Sequence, residues 1–472
     1  MTSGEVPPKV VEARIFRAIS ACFNYFKEVD VDLQLLAALI VGVAAIILII
    51  LKTRLDAFPA LLIGAIVTGL VAGVAPVELV GLMTAGFGNT LASIGIVIGL
   101  GVALGKLMEV TGAADALARA FVKLFGKGRE ALAMTMTGSV VSIPVFCDSG
   151  YVMLHPLARS LARRTQQGVV VLSLALAGGL VLSHTLVPPT PGPLAVAGLL
   201  GVDLGMMFLV GIPFIIVLIP VVLLFARIMG NKLEPFRDPS MFALEDEEAN
   251  TRPVIGAFRA ALPIVVPILL IVSNTASKAL FPGTSIEAVT SFIGAPAIAL
   301  LIGLVLGAYT LPQRGTERKE VAGWLSEAAA SGGLIIFITG AGGAFANVLT
   351  ESGVGANLAD GVGMLPLPLF LIPFLVASVL RVAQGSGTVA MITAATLAVP
   401  LVEAGTLNPV LAAMASACGA FLFSHFNDSF FWVVTKFAGL SGTKAMKAWS
   451  GMTTTIWVAT IPLLFILWAI VG

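Results

Sequence analysis

Charged and polar side chains interrupt the apolar segments of this chain at four places. They include two aspartates, two histidines and one arginine, in surroundings apolar enough to lie within a membrane. Ionisable groups at that depth are costly and generally mark the path of a substrate or an ion. Carboxyl and imidazole groups can carry a proton, whereas guanidinium, hydroxyl and backbone N–H groups can bind a small anion. The candidate binding residues are Asp148, Ser149, Gly150, His184, Thr190, Arg381, Gly385, Ser386, Gly387, Thr388, His425, Asn427 and Asp428.

The composition is that of an all-α polytopic membrane protein. Hydrophobic residues make up 58% of the 472 residues, charged residues make up 11%, and the mean hydropathy is +1.03. Typical soluble proteins have about 45–50% apolar and about 25% charged residues. The net charge of +1 provides no basic face for nucleic acid. The three cysteines and three histidines lack the spacing of a metal site, so neither a metal nor another cofactor is predicted.

Two segments, 131–165 and 366–403, are predicted to enter and leave the membrane on the same side. Each is apolar with a polar, glycine-containing middle. Lys and Arg gather in cytoplasmic loops. Basic residues flank the first segment on both sides, whereas the flanks of the second, 351–365 and 401–408, contain none. The sequence therefore predicts two re-entrant hairpins, one opening to the cytoplasm and the other to the outside.

Two long apolar spans, 170–204 and 409–440, are predicted to be transmembrane helices that unwind near their middle. Four of the six residues 188–193 are prolines, which cannot continue a helix because each lacks an N–H donor. In the second span, five of the six residues 424–429 are polar. The half-helices that follow such breaks present unpaired N–H groups and a positive dipole end, which favour an anionic substrate.

The two halves of the chain resemble each other at a shift of 241 residues, which pairs Ser183-His184 with Ser424-His425. Because the two hairpins open to opposite sides, this similarity predicts an inverted repeat. That is the architecture of secondary transporters, whose substrate site lies near the bilayer midplane. The predicted units are an N-terminal amphipathic segment 1–34, a first repeat 35–228, a cytoplasmic linker 229–259 and a second repeat 260–472.

Asp148 is the first choice and Asp428 the second for the group that carries a coupling proton. A proton on either carboxyl cancels a negative charge that would repel an anionic substrate, so proton and substrate help each other to bind. His184 and His425 are the alternatives, because histidine titrates near neutral pH. Sodium, bound by the same carboxylates and by exposed carbonyls, is the alternative coupling ion. Arg381 can pair with the substrate or with a protein carboxylate, and the sequence leaves both open.

Four motifs, in the same order along the chain, resemble the gluconate permease family of the ion transporter superfamily. They are SIPVFCDSGYVML at 142–154, SHTLVPPTPGP at 183–193, LRVAQGSGTVA at 380–390 and SHFND at 424–428, followed by Phe431-Trp432. The similarity runs from about residue 35 to the C-terminus. The family often has His where this chain has Thr190, and residues 1–34 look like an addition.

This resemblance implies proton-coupled uptake of gluconate or a related small sugar or hydroxy acid across the inner membrane. It also implies a homodimer in which a scaffold supports a mobile transport domain of the elevator type. The alternatives are a D-serine or glycerate permease of the same family and a sodium-coupled carboxylate carrier. An intramembrane hydrolase would use Ser149 or Ser386 with a histidine, but the chain has no GxSxG motif, and catalysis does not need polar groups in two inverted copies.

Overall fold

The computed structural model describes residues 32–53, 55, 57–125, 128–165, 167–236, 255–354, 368–425 and 428–472. All regular secondary structure in these ranges is helical, which confirms the all-α prediction. Of the predicted amphipathic segment 1–34, only the last three residues lie within them. There the Asp32 side chain caps the first helix by accepting the N–H group of Gln34 at 2.8 Å.

The described helices follow the same order in the two halves of the chain. In the first half they are α1 Leu33–Lys52, α2 Ala57–Val71, α3 Pro76–Val110, α4 Ala113–Phe125, α5 Glu130–Val141, α6 Cys147–Thr165, α7 Val169–Leu186, α8 Pro191–Leu199 and α9 Leu204–Leu233. In the second half they are α10 Ala257–Leu280, α11 Ser285–Ile293, α12 Pro296–Thr310, α13 Arg318–Glu351, α14 Leu371–Gln384, α15 Gly387–Glu403, α16 Pro409–Gly419, α17 Ser429–Phe437, α18 Gly442–Ala445 and α19 Gly451–Val471. Each half runs from a long helix (α3 or α13) to a helical hairpin, then to a broken helix, and ends in another long helix.

In the described part of the chain, five helical stretches are long and apolar enough to cross a membrane. They are Val169–Leu199, Leu204–Phe236, Ala257–Lys278, Arg318–Glu351 and Gly442–Val471. Two bent helices raise this number to seven: α3, which bends by 50°, and the α11–α12 pair, which bends by 58°. These lengths fit a chain that crosses the bilayer several times.

One backbone contact recurs in both halves and holds each hairpin against its broken helix. In the first half, a Cβ atom on Gly179 of α7 would lie 2.1 Å from the Thr135 carbonyl oxygen of α5, and Ser139 donates to the Gly179 carbonyl at 3.2 Å. In the second half, a Cβ atom on Gly419 of α16 would lie 2.2 Å from the Phe374 carbonyl oxygen of α14. Ser378 donates to the Gly419 carbonyl, also at 3.2 Å. Glycine is required at both positions because the backbones touch there.

The two ends of the first hairpin, α5–α6, lie side by side. The Gln167 amide, just after α6, donates to the Glu130 carboxylate at the start of α5 at 2.6 Å. In the second hairpin, α14–α15, the chain turns at Gly385, whose φ of 90° favours glycine. The 12 residues of α5 and the 14 of α14 extend about 18 and 21 Å, less than the roughly 30 Å of the hydrocarbon core. We therefore expect both hairpins to turn inside the membrane.

Helix α9 continues beyond residue 228, where the sequence analysis places the start of a cytoplasmic linker. It runs to Leu233, and Gly230 packs on α7 so closely that a Cβ atom there would lie 2.7 Å from the Cα atom of Val171. The Glu234 carboxylate then accepts the N–H groups of Val169 and Val170 at the start of α7, at 3.0 and 2.8 Å. Residues 237–254 of the predicted linker lie outside the described ranges.

The re-entrant arrangement predicts which side of the membrane each end of the two hairpins faces. In a chain with Cys22→Ser, we expect Arg129→Cys and Arg163→Cys to react with a membrane-impermeant maleimide from the cytoplasmic side only. Glu351→Cys and Ala404→Cys, which flank the second hairpin, should react from the outside only. All four residues are exposed. Labelling of Arg129→Cys and Arg163→Cys from opposite sides would contradict the arrangement.

Candidate functional site

The four polar interruptions of the sequence meet in one buried cluster. Asp148 begins the second arm of the first hairpin and interacts electrostatically with Asp428 and Arg381. His184, in the last turn of α7, interacts with the same two charges. The His184 ring also lies 5.9 Å from that of Phe146, beside the tip of the first hairpin. The fold thus brings together residues that are up to 280 positions apart in the sequence.

Arg381 and Asp428 form an ion pair in the middle of this cluster. Arg381 Nη2 lies 2.6 Å from Asp428 Oδ2, and the two side chains are only 6% and 9% exposed. Nη1 of the same guanidinium donates to the carbonyl oxygen of Gly385, at the tip of the second hairpin. Its Nε atom has no hydrogen-bond partner among the described residues. The sequence leaves open whether Arg381 pairs with the substrate or with a protein carboxylate. In the structure it pairs with a protein carboxylate, that of Asp428.

Asp428 is surrounded by hydrogen-bond donors. Besides Arg381, its Oδ2 atom accepts the hydroxyl group of Ser424, and Oδ1 accepts the N–H group of Phe430 at 3.2 Å. An ionised carboxylate only accepts hydrogen bonds, so three donors match its charged form. The charge of Asp428 is therefore held by Arg381 and by the backbone of α17.

Asp148 has different surroundings. Its Oδ1 atom is buried and has no hydrogen-bond partner in the described part of the chain, whereas the hydroxyl group of Ser429 interacts with the carboxyl group. Asp148 has no ion-pair partner of its own among the described salt bridges. Its negative charge would also be repelled by Asp428. A proton on Asp148 removes that repulsion.

The two repeat-equivalent histidines have different roles in the structure. His425 donates from Nε2 to the carbonyl oxygen of Val382 at 2.9 Å and so joins the second break to the second hairpin. The Nδ1 atom of His184 is buried and has no partner among the described residues. Thr190 donates its hydroxyl proton to the carbonyl oxygens of His184 and Val187, at 3.0 and 2.8 Å. Because this proton is already used within the first break, Thr190 can only accept a hydrogen bond from a ligand.

The N-termini of four helices converge at the cluster. Helix α6 starts at Cys147, α8 at Pro191, α15 at Gly387 and α17 at Ser429. The first turn of α8 packs on the second turn of α15, since a Cβ atom on Gly192 would lie 2.7 Å from Met391 Sδ. An α-helix leaves its first N–H groups without internal partners and carries a partial positive charge at this end. Pro191 and Pro193 have no N–H group, and the N–H group of Phe430 is bound by Asp428. The four dipole ends, together with N–H groups in the first turns of α6 and α15, can hold an anion.

The remaining candidate residues lie in the first turns of two of these helices. Ser149 and Gly150 belong to α6, whereas Gly387 and Thr388 belong to α15. Ser386 caps α15 by accepting the N–H group of Val389 at 3.3 Å. Asn427 lies outside the described residues.

Three further residues contact the cluster that are not among those predicted from the sequence: Ser424, Ser429 and Trp449. The two serines flank the His-Phe-Asn-Asp stretch of the second break, and their position in a polar run was an available signal. Trp449 lies 25 positions after Ser424, and nothing in its sequence surroundings indicates this contact.

Residues 33–471 match the GntP family permease. The chain is 41% identical over 438 residues to an uncharacterized permease of Haemophilus influenzae, covering 89% of each chain. It is 34% identical over 448 residues to a gluconate permease of Pseudomonas aeruginosa, covering 92% of this chain and 97% of the relative.

A solved structure has the same fold. The YdaH transporter of Alcanivorax borkumensis matches with a TM-score of 0.64 at 16% identity, over 84% of this chain and 90% of that chain. The protein is a permease, so the intramembrane hydrolase considered from the sequence is wrong. The predicted resemblance is confirmed: this multi-pass membrane protein belongs to the GntP family of permeases.

Proposed function

We propose that this permease takes up gluconate or a related small sugar acid across the inner membrane, together with a proton. The observation that carries the proposal is the convergence of four helix N-termini on a cluster in which Arg381 is already neutralised by Asp428. Such a site attracts a carboxylate through dipoles and N–H groups. The similarity to a gluconate permease of Pseudomonas aeruginosa supports the choice of substrate.

The substrate is recognised by two kinds of group. Unpaired N–H groups in the first turns of α6 and α15 bind its carboxylate. The hydroxyl groups of Ser149, Ser386 and Thr388, with Asn427, bind its own hydroxyls. The buried Nδ1 atom of His184 and the lone pairs of Thr190 are further partners for the polyol chain. Several polar contacts of this kind distinguish a sugar acid from a plain carboxylate.

The coupling proton binds to Asp148. Because the charges of Arg381 and Asp428 cancel, the charge of the site depends on Asp148. Ionised Asp148 gives the site a net negative charge that repels an anion, whereas protonated Asp148 leaves it neutral. Proton binding and substrate binding therefore strengthen each other, as symport requires.

Alternating access completes the proposal. The hairpins and broken helices form the moving transport domain, the long helices form the scaffold, and two copies of the chain associate as a homodimer. The two halves of the transport domain lie in opposite orientations as an inverted repeat. This arrangement lets the same site face each side of the membrane in turn.

Asp148→Asn is expected to uncouple transport. In proteoliposomes with an imposed pH gradient, the variant should not concentrate gluconate, because the site can no longer change its charge. It should still exchange labelled for unlabelled gluconate, because an amide is neutral like the protonated acid. The measurement compares the two rates in the same vesicles. A sodium gradient without a pH gradient tests the alternative ion.

Asp203→Asn is the matched control. Asp203 lies outside the cluster and caps α9 by accepting the N–H group of Met206 at 3.2 Å, a role that asparagine can fill. We expect this variant to concentrate gluconate like the wild type. Accumulation by Asp148→Asn on a proton gradient would contradict the assignment of the coupling proton.

Asp428→Asn is expected to behave differently from Asp148→Asn. It leaves Arg381 buried without its counter-charge, and removal of one partner of a buried ion pair typically costs about 3–5 kcal/mol. Both accumulation and exchange should be lost, and the detergent-purified protein should unfold at a lower temperature. If Asp428→Asn lost accumulation but kept exchange and thermal stability, Asp428 would be the coupling residue.

The double variant Ser386→Ala, Thr388→Val tests the substrate site. Loss of one donor to a bound polar group typically costs about 1–3 kcal/mol, or roughly 5- to 150-fold in affinity. Because Ser386→Ala also removes a helix cap, Thr284→Ala is the matched control: Thr284 caps α11 far from the cluster by accepting the N–H group of Glu287 at 3.4 Å. Gluconate binding at wild-type affinity by the double variant would contradict the assignment.

A further inference from the structure

A single π-helical turn lies next to the broken helix α16–α17. It spans Met446–Ser450, directly before α19, and it places Trp449 and Ser450 against Ser424 of the break. The Trp449 side chain is completely buried, and its ring meets that of Phe430 edge to face at 5.1 Å. π turns are rare and are frequent at functional sites.

All three polar groups of Ser424 are bound from this one side. Its hydroxyl oxygen accepts the indole N–H group of Trp449 at 2.9 Å. Its carbonyl oxygen accepts the hydroxyl group of Ser450 at 2.5 Å, and its N–H group donates to Thr453 Oγ1 at 3.1 Å. The segment of chain at the break therefore has a defined position although it is not helical.

The indole also determines where the hydroxyl proton of Ser424 points. An indole N–H group can only donate, and an ionised carboxylate can only accept. With Trp449 occupying an acceptor position of the Ser424 oxygen, the single hydroxyl proton is directed at Asp428. Trp449 thus orients the hydrogen bond to Asp428 without touching the carboxylate itself.

From Asp428 the line of contacts continues to the second hairpin. Arg381 pairs with Asp428 and donates to the carbonyl oxygen of Gly385, at the hairpin tip. Among the described residues, Asp148 and Cys147 from α6 and His184 from α7 also interact electrostatically with Asp428. A shift of Asp428 would therefore change the position of Arg381 and of the tip that carries Ser386.

We propose that Trp449 is a positioning residue of the anion site, acting through Ser424 on the Arg381–Asp428 pair and on the second hairpin tip. The proposal rests on the proposed function, in that this pair and this tip form part of the substrate site. The indole N–H group donates its hydrogen bond to Ser424 and makes no contact with the substrate. Its contribution is to keep Asp428 and Arg381 where the first turn of α15 needs them.

Trp449→Phe tests the proposal, because it removes the donor and keeps an aromatic ring against Phe430. In proteoliposomes, we expect the KM for gluconate to rise about fivefold, as for the loss of one neutral hydrogen bond of about 1 kcal/mol. The maximal rate should stay within about twofold of the wild type. An unchanged KM would overturn the proposal.

Trp457→Phe is the matched control on the same helix. Trp457 also donates its indole N–H group to a serine, Ser378, at 2.8 Å, and its ring stacks on Phe374, but it makes no described contact with Ser424 or Asp428. We expect its KM to equal that of the wild type. A rise in KM as large as that of Trp449→Phe would overturn the proposal, because loss of an indole donor that does not contact Ser424 would then be sufficient.

A double-mutant cycle with Ser424→Ala separates positioning from a general packing effect. If Trp449 acts through Ser424, Trp449→Phe should not raise the KM further in the Ser424→Ala background. Additive increases would overturn the proposal. Uptake by wild-type vesicles separates failure of this proposal from failure of the proposed function. If the wild type takes up no sugar acid, the proposed function is contradicted. If the wild type takes up gluconate and Trp449→Phe has the same KM, the positioning role is contradicted.

Discussion

The ion pair between Arg381 and Asp428 is the interaction on which the rest of the site depends. Charges within a membrane protein are tolerated only where they are paired and hydrogen-bonded. Here the pair joins the arm of the second hairpin to the second helix break, which are 47 positions apart in the sequence. The charges of Arg381 and Asp428 cancel. Protonation of the other aspartate in the cluster, Asp148, therefore changes the net charge of the cluster.

The helix breaks supply the rest of the site, and each break is stabilised by its own side chains. In the first break the prolines end α7 and Thr190 satisfies the freed carbonyls of His184 and Val187. In the second, Trp449 and its neighbours bind Ser424. Non-helical backbone at membrane depth is tolerated only when its polar groups are satisfied in this way. The N–H groups proposed to bind the anion lie instead in the first turns of α6 and α15, at the tips of the two hairpins.

Much of this architecture could be predicted from the sequence, because the signals are local. Prolines, glycines and polar runs in apolar spans indicate where helices stop, and the placement of Asp148 and Arg381 near the hairpin tips follows from them. Pairing across the fold could not be predicted in the same way. Asp148 and Asp428 are equally available to Arg381 in the sequence, and the contact of the second break with α14, where His425 binds the Val382 carbonyl, brings Asp428 to the guanidinium.

The local sequence pattern also does not show which partners a hydroxyl or imidazole group binds within the folded chain. The sequence predicts that Thr190 binds the substrate, and the structure shows that its hydroxyl proton is used inside the break, which leaves its lone pairs for a ligand. The equivalent positions of His184 and His425 predicted equivalent roles, but only His425 donates to a carbonyl of the second hairpin. Trp449 gave no signal, because its role depends on a π turn that is visible only in three dimensions.

The central claim is that Asp148 takes up a proton when the anion binds. It is tested most directly by measuring proton uptake on addition of gluconate to purified protein in weakly buffered solution near neutral pH. The account predicts that the solution becomes more alkaline when the wild type binds gluconate, and that Asp148→Asn binds it with no such change. Equal proton uptake by Asp148→Asn, or none by a wild type that binds gluconate, would contradict it.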